Sequence, residues 1–293
     1  MAAHESTTQP IICCIGASVA GQPTQFLLER AFSHLHLPWR ALSVEFDDAK
    51  FTQVCEAMLA MGFRGLRFYG DFEQSAAQLL ATNNQPCQFI GQVTSAAKSA
   101  DQWTVWNNRG AGWMELLQLH QATSIWLHGD CSENRSLAMA LIERALSWIW
   151  TDAPREACEA SVDEHLKPIV RTRLFESQSP PQAEQIAELL SINESATDSN
   201  ARVTQSFSHP RIGFVTNQAT IPSEFSNWLV ELNSELITSA QLKLPESLMT
   251  SCVCKVSAAD LAVAAEASDF KRWTGQSIDS SILRDAYDEF CDF

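Results

Sequence analysis

A chain of 293 residues with a net charge of -15 and a pI of about 4.8 is long enough for a sizeable core and sets a prior of two domains. Such acidity argues against nucleic acid, whose phosphates need Lys and Arg, and against anionic lipid surfaces. There is no run of about 18 apolar residues, and the polar start MAAHESTTQP lacks a cationic region followed by an apolar core, so the expectation is a cytoplasmic protein with no membrane contact.

The elements follow in chain order. IICCIG (11–16) is a short apolar run ending in Gly, a buried strand. PTQFLLERAFSHLHL (23–37) has helical spacing, WRALSVEF (39–46) reads as a second strand, and DDAKFTQVCEAMLAMGF (47–63) as a helix capped by Asp47 or Asp48. GLRFYG (65–70) is a third strand, broken by Gly70 and Asp71, and DFEQSAAQLLAT (71–82) a third helix. This β-α-β-α-β-α order predicts a mainly parallel sheet with crossover helices.

A Gly-rich helix start, NRGAGWMELLQLHQ (108–121), precedes a strand at 124–129, a helix at 136–146 and a strand, SWIWTD, at 147–152. Together these predict a second α/β domain. Residues 174–210 are rich in Ser, Gln, Pro, Asn and Asp and read as loops around a helix; IGFVTN (212–217) is a strand. ADLAVAAEASDFKRWTG (259–275) and SSILRDAYDEFCDF (280–293) close the chain as helices.

Nine scattered cysteines, including the pairs Cys13-Cys14 and Cys252-x-Cys254, form no C-x-x-C and have no zinc spacing with His. They read as reduced thiols packed as small apolar residues. Trp103, Trp106 and Trp113 bracket Arg109 and read as packing rather than a ligand cage.

Five islands in order resemble the shikimate dehydrogenase family. GASVAGQPTQFLLERAF (16–32) lies on that family's opening turn and helix. MGFRGLRFYGDFEQSA (61–76) lies on its Gly-Phe-x-Gly-Asn-Val-Thr-x-Pro-x-Lys, and IGQVTS (90–95) on its Ile-Gly-Ala-Val-Asn-Thr. NNRGAGW (107–113) lies on Asn-Thr-Asp-Gly-x-Gly, and FKRWTG (270–275) on its closing Phe-x-x-Trp-Thr-Gly. The resemblance implies a substrate-type domain at 11–107 after a disordered tail at 1–10. A Rossmann-like domain at 108–257 would follow, with C-terminal helices at 258–293 returning to the first domain.

Carried over residue by residue, the frame persists and the functional side chains change. The substrate-binding Ser pair falls on Gln22 and Thr24, the Asn and Thr of the third strand on Arg67 and Tyr69, the Asn after Ala-Val on Thr94, and the Gln of the late helix on Ala265. The catalytic Lys falls on Glu73 and the catalytic Asp on Arg109. Alcohol oxidation needs a group that takes the hydroxyl proton, and a guanidinium stays protonated. Glu73 and Arg109 therefore read as a charge-reversed ion pair or as unrelated surface residues, with Glu73 as a working base a third option. Arg67, Tyr69, Gln22 and Arg109 read as a polar pocket for a small anionic metabolite, or as a pocket filled by its own side chains.

The family's Gly-x-Gly-Gly-x-x-Arg turn reads GDCSENR (129–135) here, keeping only Gly129 and Arg135 and adding Asp130 and Glu133 where a pyrophosphate would bind. Asp152 ends the next strand, either as a cap before Pro154 or as a partner for a ribose hydroxyl, which would favour NAD over NADP. No cofactor is expected. The resulting expectation is a shikimate dehydrogenase-like protein that has lost the standard reaction and acts by binding or interaction. The alternative is an NAD(P)-dependent oxidoreductase that reduces 3-dehydroshikimate or another hydroxy or keto acid. Oligomeric state is left open.

Overall fold

In the computed structural model the described residues are 9–122, 124–177, 211–216, 235–239 and 253–292. Of the disordered tail expected at 1–10, residues 1–8 lie outside them, while Pro10 is placed, its carbonyl accepting from the Arg40 amide at 3.0 Å; of the stretch 174–210 expected to hold a helix, 178–210 lie outside. The elements run β1 (Ile11–Gly16), α1 (Thr24–His34), β2 (Arg40–Glu45), α2 (Phe51–Met61), β3 (Gly65–Phe68), α3 (Phe72–Leu79), α4 (Gln85–Ile90), β4 (Ser95–Ser99) and β5 (Gln102–Trp106). Next come α5 (Arg109–Leu119), β6 (Ser124–His128), α6 (Ser132–Glu143), β7 (Trp148–Thr151), α7 (Arg155–Ala160), α8 (Lys167–Arg173) and β8 (Leu174–Ser177). Then β9 (Arg211–Thr216), β10 (Glu235–Ser239), β11 (Val253–Val256), α9 (Ala258–Thr274) and α10 (Ser280–Cys291) complete the described chain. Two compact units result, one holding the residues up to Asn108 and from Ala262 onward, the other Arg109–Leu261.

The first unit is a five-stranded sheet, ordered β2-β1-β3-β4-β5, between two helical layers. Alternation along β1 divides the core. Cys13 and Ile15 pack with Phe51, Cys55 and Met58 of α2 and Phe72 of α3. Ile12 packs on the other side with Leu27 and Phe32 of α1, Val263, Phe270 and Trp273 of α9, and Leu283 of α10. The Trp273 indole N–H donates to the Ala96 carbonyl at 2.8 Å, which ties α9 to β4. Asp47 caps a single 3-10 turn before α2, accepting from the Ala49 amide at 3.1 Å.

The sheet is parallel only in part. β1, β2 and β3 run parallel, as expected, while β4 and β5 form an antiparallel hairpin. Ser-Ala-Ala-Lys-Ser lacks the β-branched content that marks a strand, so β4 exists through its pairing with β3 and β5 and not through local preference. The helix expected over 71–82 stops at Leu79, and α4 begins separately where Asn84 accepts from the Cys87 amide at 3.0 Å with Pro86 in the first turn.

The second unit holds a six-stranded, all-parallel sheet, ordered β11-β10-β9-β6-β7-β8. This is the doubly wound Rossmann order, and it reverses between β6 and β9. Trp126, Trp148 and Trp150 fill its core at no more than 1% exposure, which is why these strands read as continuous apolar runs. The helix expected at 136–146 starts earlier, at Ser132, because the Cys131 sulfur caps it by accepting from the Asn134 amide at 3.4 Å. The loop-rich reading of 174–210 begins instead with strand β8. Helices α5 and α6 touch at Gly110, whose amide donates to the Ser136 hydroxyl at 2.8 Å; a Cβ on Gly110 would stand 2.1 Å from the Ser136 carbonyl oxygen.

Candidate functional site

Four of the positions carried over from the resemblance meet in the first unit, bonded to one another or through Glu266. Arg67, on β3 and 9% exposed, donates through Nε to Glu266 Oε1 at 2.9 Å and through Nη1 to the Thr94 carbonyl at 2.9 Å. Thr24, at the start of α1, donates to the same Glu266 oxygen at 2.9 Å. The Tyr69 hydroxyl donates to Thr24 Oγ1, and the Arg67 guanidinium lies 5.0 Å from the Tyr69 ring centroid. Thr94 Oγ1 accepts from the Asn108 amide at 2.8 Å, and the Asn108 side chain approaches the Ala265 carbonyl at 3.4 Å.

A second buried acid extends the network. Asp269, fully buried on α9, accepts from the Trp106 indole at 2.6 Å, from the Asn108 amide group at 2.6 Å and from the Ser95 hydroxyl. Glu266 is 3% exposed, and its Oε2 and the Asn108 Oδ1 have no hydrogen-bond partner among the described residues. Burial opposes the Arg67 charge, but Glu266, with Tyr69, Asp269 and Glu73, outweighs that and holds the guanidinium more firmly protonated than usual. Burial and then the Glu266 carboxylate push Asp269 up to about 6, against the pull of Arg67 and the hydrogen bonds from Ser95 and Trp106. Burial likewise raises the Tyr69 hydroxyl well above the ordinary phenol value.

Gln22 is exposed in the turn before α1; that turn is held by Glu45, which accepts from the Val19 and Ala20 amides at 2.7 and 2.9 Å. Glu73 is 4% exposed in the first turn of α3, with its carbonyl accepting from the Val93 amide at 2.9 Å, so it is not a surface residue. Arg109 opens α5 and belongs to the second unit. Sequence reasoning missed Glu266 and Asp269. Matching by Trp273 pointed to Ala265, one residue short, and charges on a helix read as a solvated face. The available signal was that Glu266, Asp269 and Trp273 share the face of α9 that carries Phe270 and Val263.

In the second unit, Gly129 follows β6 at the point where strand order reverses, with φ of +80°, a conformation glycine adopts without strain. Its carbonyl accepts from Asn134 Nδ2 at 2.7 Å and from the Trp150 indole at 3.1 Å. Asp130 and Arg135 form a two-bonded pair, both contacts at 2.6 Å, and Glu133 in the first turn of α6 accepts from the Trp113 indole. His128 Nδ1 lies 3.2 Å from Thr216 Oγ1, joining β6 to β9, and burial lowers its pKa, against an opposing effect from Asp152. Asp152 itself is exposed beyond β7 at φ of +59°. These residues do not fit a pyrophosphate. The capping position is filled by a sulfur, a carboxylate stands in the first turn, and the retained Arg135 is held by Asp130. Among the described residues, no group of three or more His, Cys, Asp or Glu is placed to hold a metal ion, and no helix is long and apolar enough to cross a membrane.

A five-stranded mixed α/β unit and a unit built on a Rossmann-ordered sheet define the class of fold. No family model matches the sequence, and no curated protein matches it. Solved structures do match. Shikimate 5-dehydrogenase from Thermus thermophilus, solved with NADP(H) and shikimate, is similar at a TM-score of 0.62 and 15% identity, over 96% of this chain and 100% of that one. Quinate dehydrogenase from Corynebacterium glutamicum, in complex with NAD, gives 0.62 and 14% over 96% and 99%. Ligand-free 5-ketofructose reductase of Gluconobacter sp. strain CHM43 gives 0.64 and 12% over 97% and 99%. The chain has the shikimate dehydrogenase-like fold.

Proposed function

We propose that this chain keeps the shikimate dehydrogenase-like fold without the standard reaction and acts by binding or interaction. One observation carries the reading: the buried Arg67–Glu266 pair is tied to Thr24, Tyr69 and Thr94, and on Arg67 and these three the resemblance puts substrate-binding residues. A hydroxy acid placed there would have to replace a guanidinium–carboxylate contact already made. The small anionic metabolite expected from the sequence gains little support, because Arg67 already holds a carboxylate of its own chain. The turn after β6 supports the same reading, since Asp130 and Glu133 bring negative charge to it and Arg135 is held by Asp130. Titration with NAD and with NADP, followed by Trp fluorescence, tests it; no response to either is expected, and a micromolar dissociation constant for either would overturn it.

The second reading is an oxidoreductase on another hydroxy or keto acid. It is favoured by one specific feature, the retained Gly129 turn at the strand-order reversal. A response to NAD and not to NADP would support it, in keeping with Asp152.

A further inference from the structure

Among the described residues, five buried side-chain polar atoms have no hydrogen-bond partner. Asn134 Oδ1, Trp148 Nε1 and Thr238 Oγ1 belong to the second unit. The other two, Glu266 Oε2 and Asn108 Oδ1, belong to one network in the first unit, and both residues are more than nine-tenths buried. That network closes on itself. Glu266 accepts from Arg67, and Arg67 donates to the Thr94 carbonyl. Thr94 Oγ1 accepts from the Asn108 amide, and the Asn108 side chain returns to Asp269, on the same helix as Glu266.

Both open atoms are acceptors. Asn108 Nδ2 stands 2.6 Å from Asp269 Oδ2 and 3.4 Å from the Ala265 carbonyl; both of these are acceptors, so the nitrogen faces them and the other atom of the amide is the oxygen. Glu266 is the counterion of a buried guanidinium 2.9 Å away, and a proton on Oε2 would leave that charge unanswered, so Oε2 offers lone pairs alone. Two such oxygens need a group that brings hydrogens, and a carboxylate or a phosphate dianion brings none. Charge points the same way. With Asp269 ionised, above about pH 6, Glu266 and Asp269 set two carboxylates against the Arg67 guanidinium, an excess of one negative charge out of water. A primary ammonium supplies a positive charge and three N–H donors with no lone pair.

We propose that this network binds a small primary amine in its ammonium form, which donates to Glu266 Oε2 and to Asn108 Oδ1. Tyr69, half-buried where Arg67 and Thr24 are buried, is the side from which the ligand enters. The inference rests on the reading that the chain acts by binding, and it narrows the ligand to an amine without a carboxylate, because Arg67 is already held by Glu266. A buried water also brings two hydrogens but no charge, and the experiment separates the two.

The probe is methylammonium chloride at about pH 7.5, beside sodium chloride, tetramethylammonium chloride and sodium acetate at equal ionic strength. The thermal midpoint of the unmodified chain is expected to rise by about 3 °C or more at about 50 mM methylammonium and not in the other three salts. Tetramethylammonium carries the charge without N–H donors, and acetate carries neither. Glu266→Gln removes the charge and is expected to abolish the rise. Where that variant does not fold, Asn108→Ala removes the second acceptor and is expected to weaken the response at least about fivefold. Crystals of the unmodified chain grown with methylammonium are expected to show its nitrogen within hydrogen-bond distance of both oxygens. No rise beyond that in sodium chloride, an equal rise in tetramethylammonium, a full rise in Glu266→Gln, or a single water at the two oxygens in those crystals overturns the proposal. Shikimate-dependent NADP reduction would sink the binding reading instead, so the two failures are told apart.

Discussion

A guanidinium taken out of water needs a carboxylate beside it, and Arg67 has Glu266 at 2.9 Å. Removing one partner leaves the other charged, buried and unanswered. Arg67→Ala is therefore expected to cost about 3–5 kcal/mol in urea unfolding, while Arg67→Met combined with Glu266→Gln keeps an acceptor for Thr24 and recovers most of that loss. Additive losses in the double variant would show that the pair does not act as a unit.

Asp269 gives a pH prediction. Its pKa is about 6 in the folded chain, above the ordinary carboxylate value. The folded state therefore binds more protons than the unfolded state between about pH 4 and pH 6, and this group's contribution to stability falls as pH rises through that window. Asp269→Asn lacks the titration. Relative to that variant, the unmodified chain should lose on the order of 1–3 kcal/mol from pH 4 to pH 7, read as a difference of unfolding curves. An unchanged difference would mean that Asp269 is ionised throughout the range.

At the scale of elements, helices α5 and α6 meet through Gly110, because any side chain there would run into the Ser136 carbonyl. Gly110→Ala is expected to lower stability by about 1–3 kcal/mol or more in thermal unfolding, since backbone cannot yield as a flexible side chain does. Full stability in that variant would contradict the close approach. Elements with a strong local pattern were legible in the sequence: β1 through its apolar run, α2 through Asp47, β6 and β7 through their Trp-rich runs. The antiparallel β4–β5 hairpin was not, because SAAKS owes its strand state to its neighbours. Nor was α4, although Asn84 and Pro86 were a usable start signal. In the site, the positions Thr24, Arg67, Tyr69 and Thr94 were legible and their partners were not. Glu266 and Asp269 carry charges that local pattern assigns to solvent, and only tertiary packing turns them inward.

At the scale of the whole molecule, the fold is shared with shikimate and quinate dehydrogenases across nearly the full chain at 14–15% identity. On the sequence resemblance, Trp273 and Gly129 match the residue types of that family, while Arg67, Tyr69, Glu73 and Arg109 differ in charge or size from the residues it puts there. A fold sets where a ligand can sit, and side chains decide whether one does. Here Thr24, Arg67, Tyr69 and Thr94 are bonded to one another or through Glu266. The most direct test is the rate of shikimate-dependent NADP reduction by the unmodified protein at millimolar shikimate. No shikimate-dependent reduction above the rate without enzyme is the expected result. Turnover on the order of 1 per second or faster, an ordinary enzyme rate, would show that the Arg67–Glu266 network opens to substrate and would contradict this account.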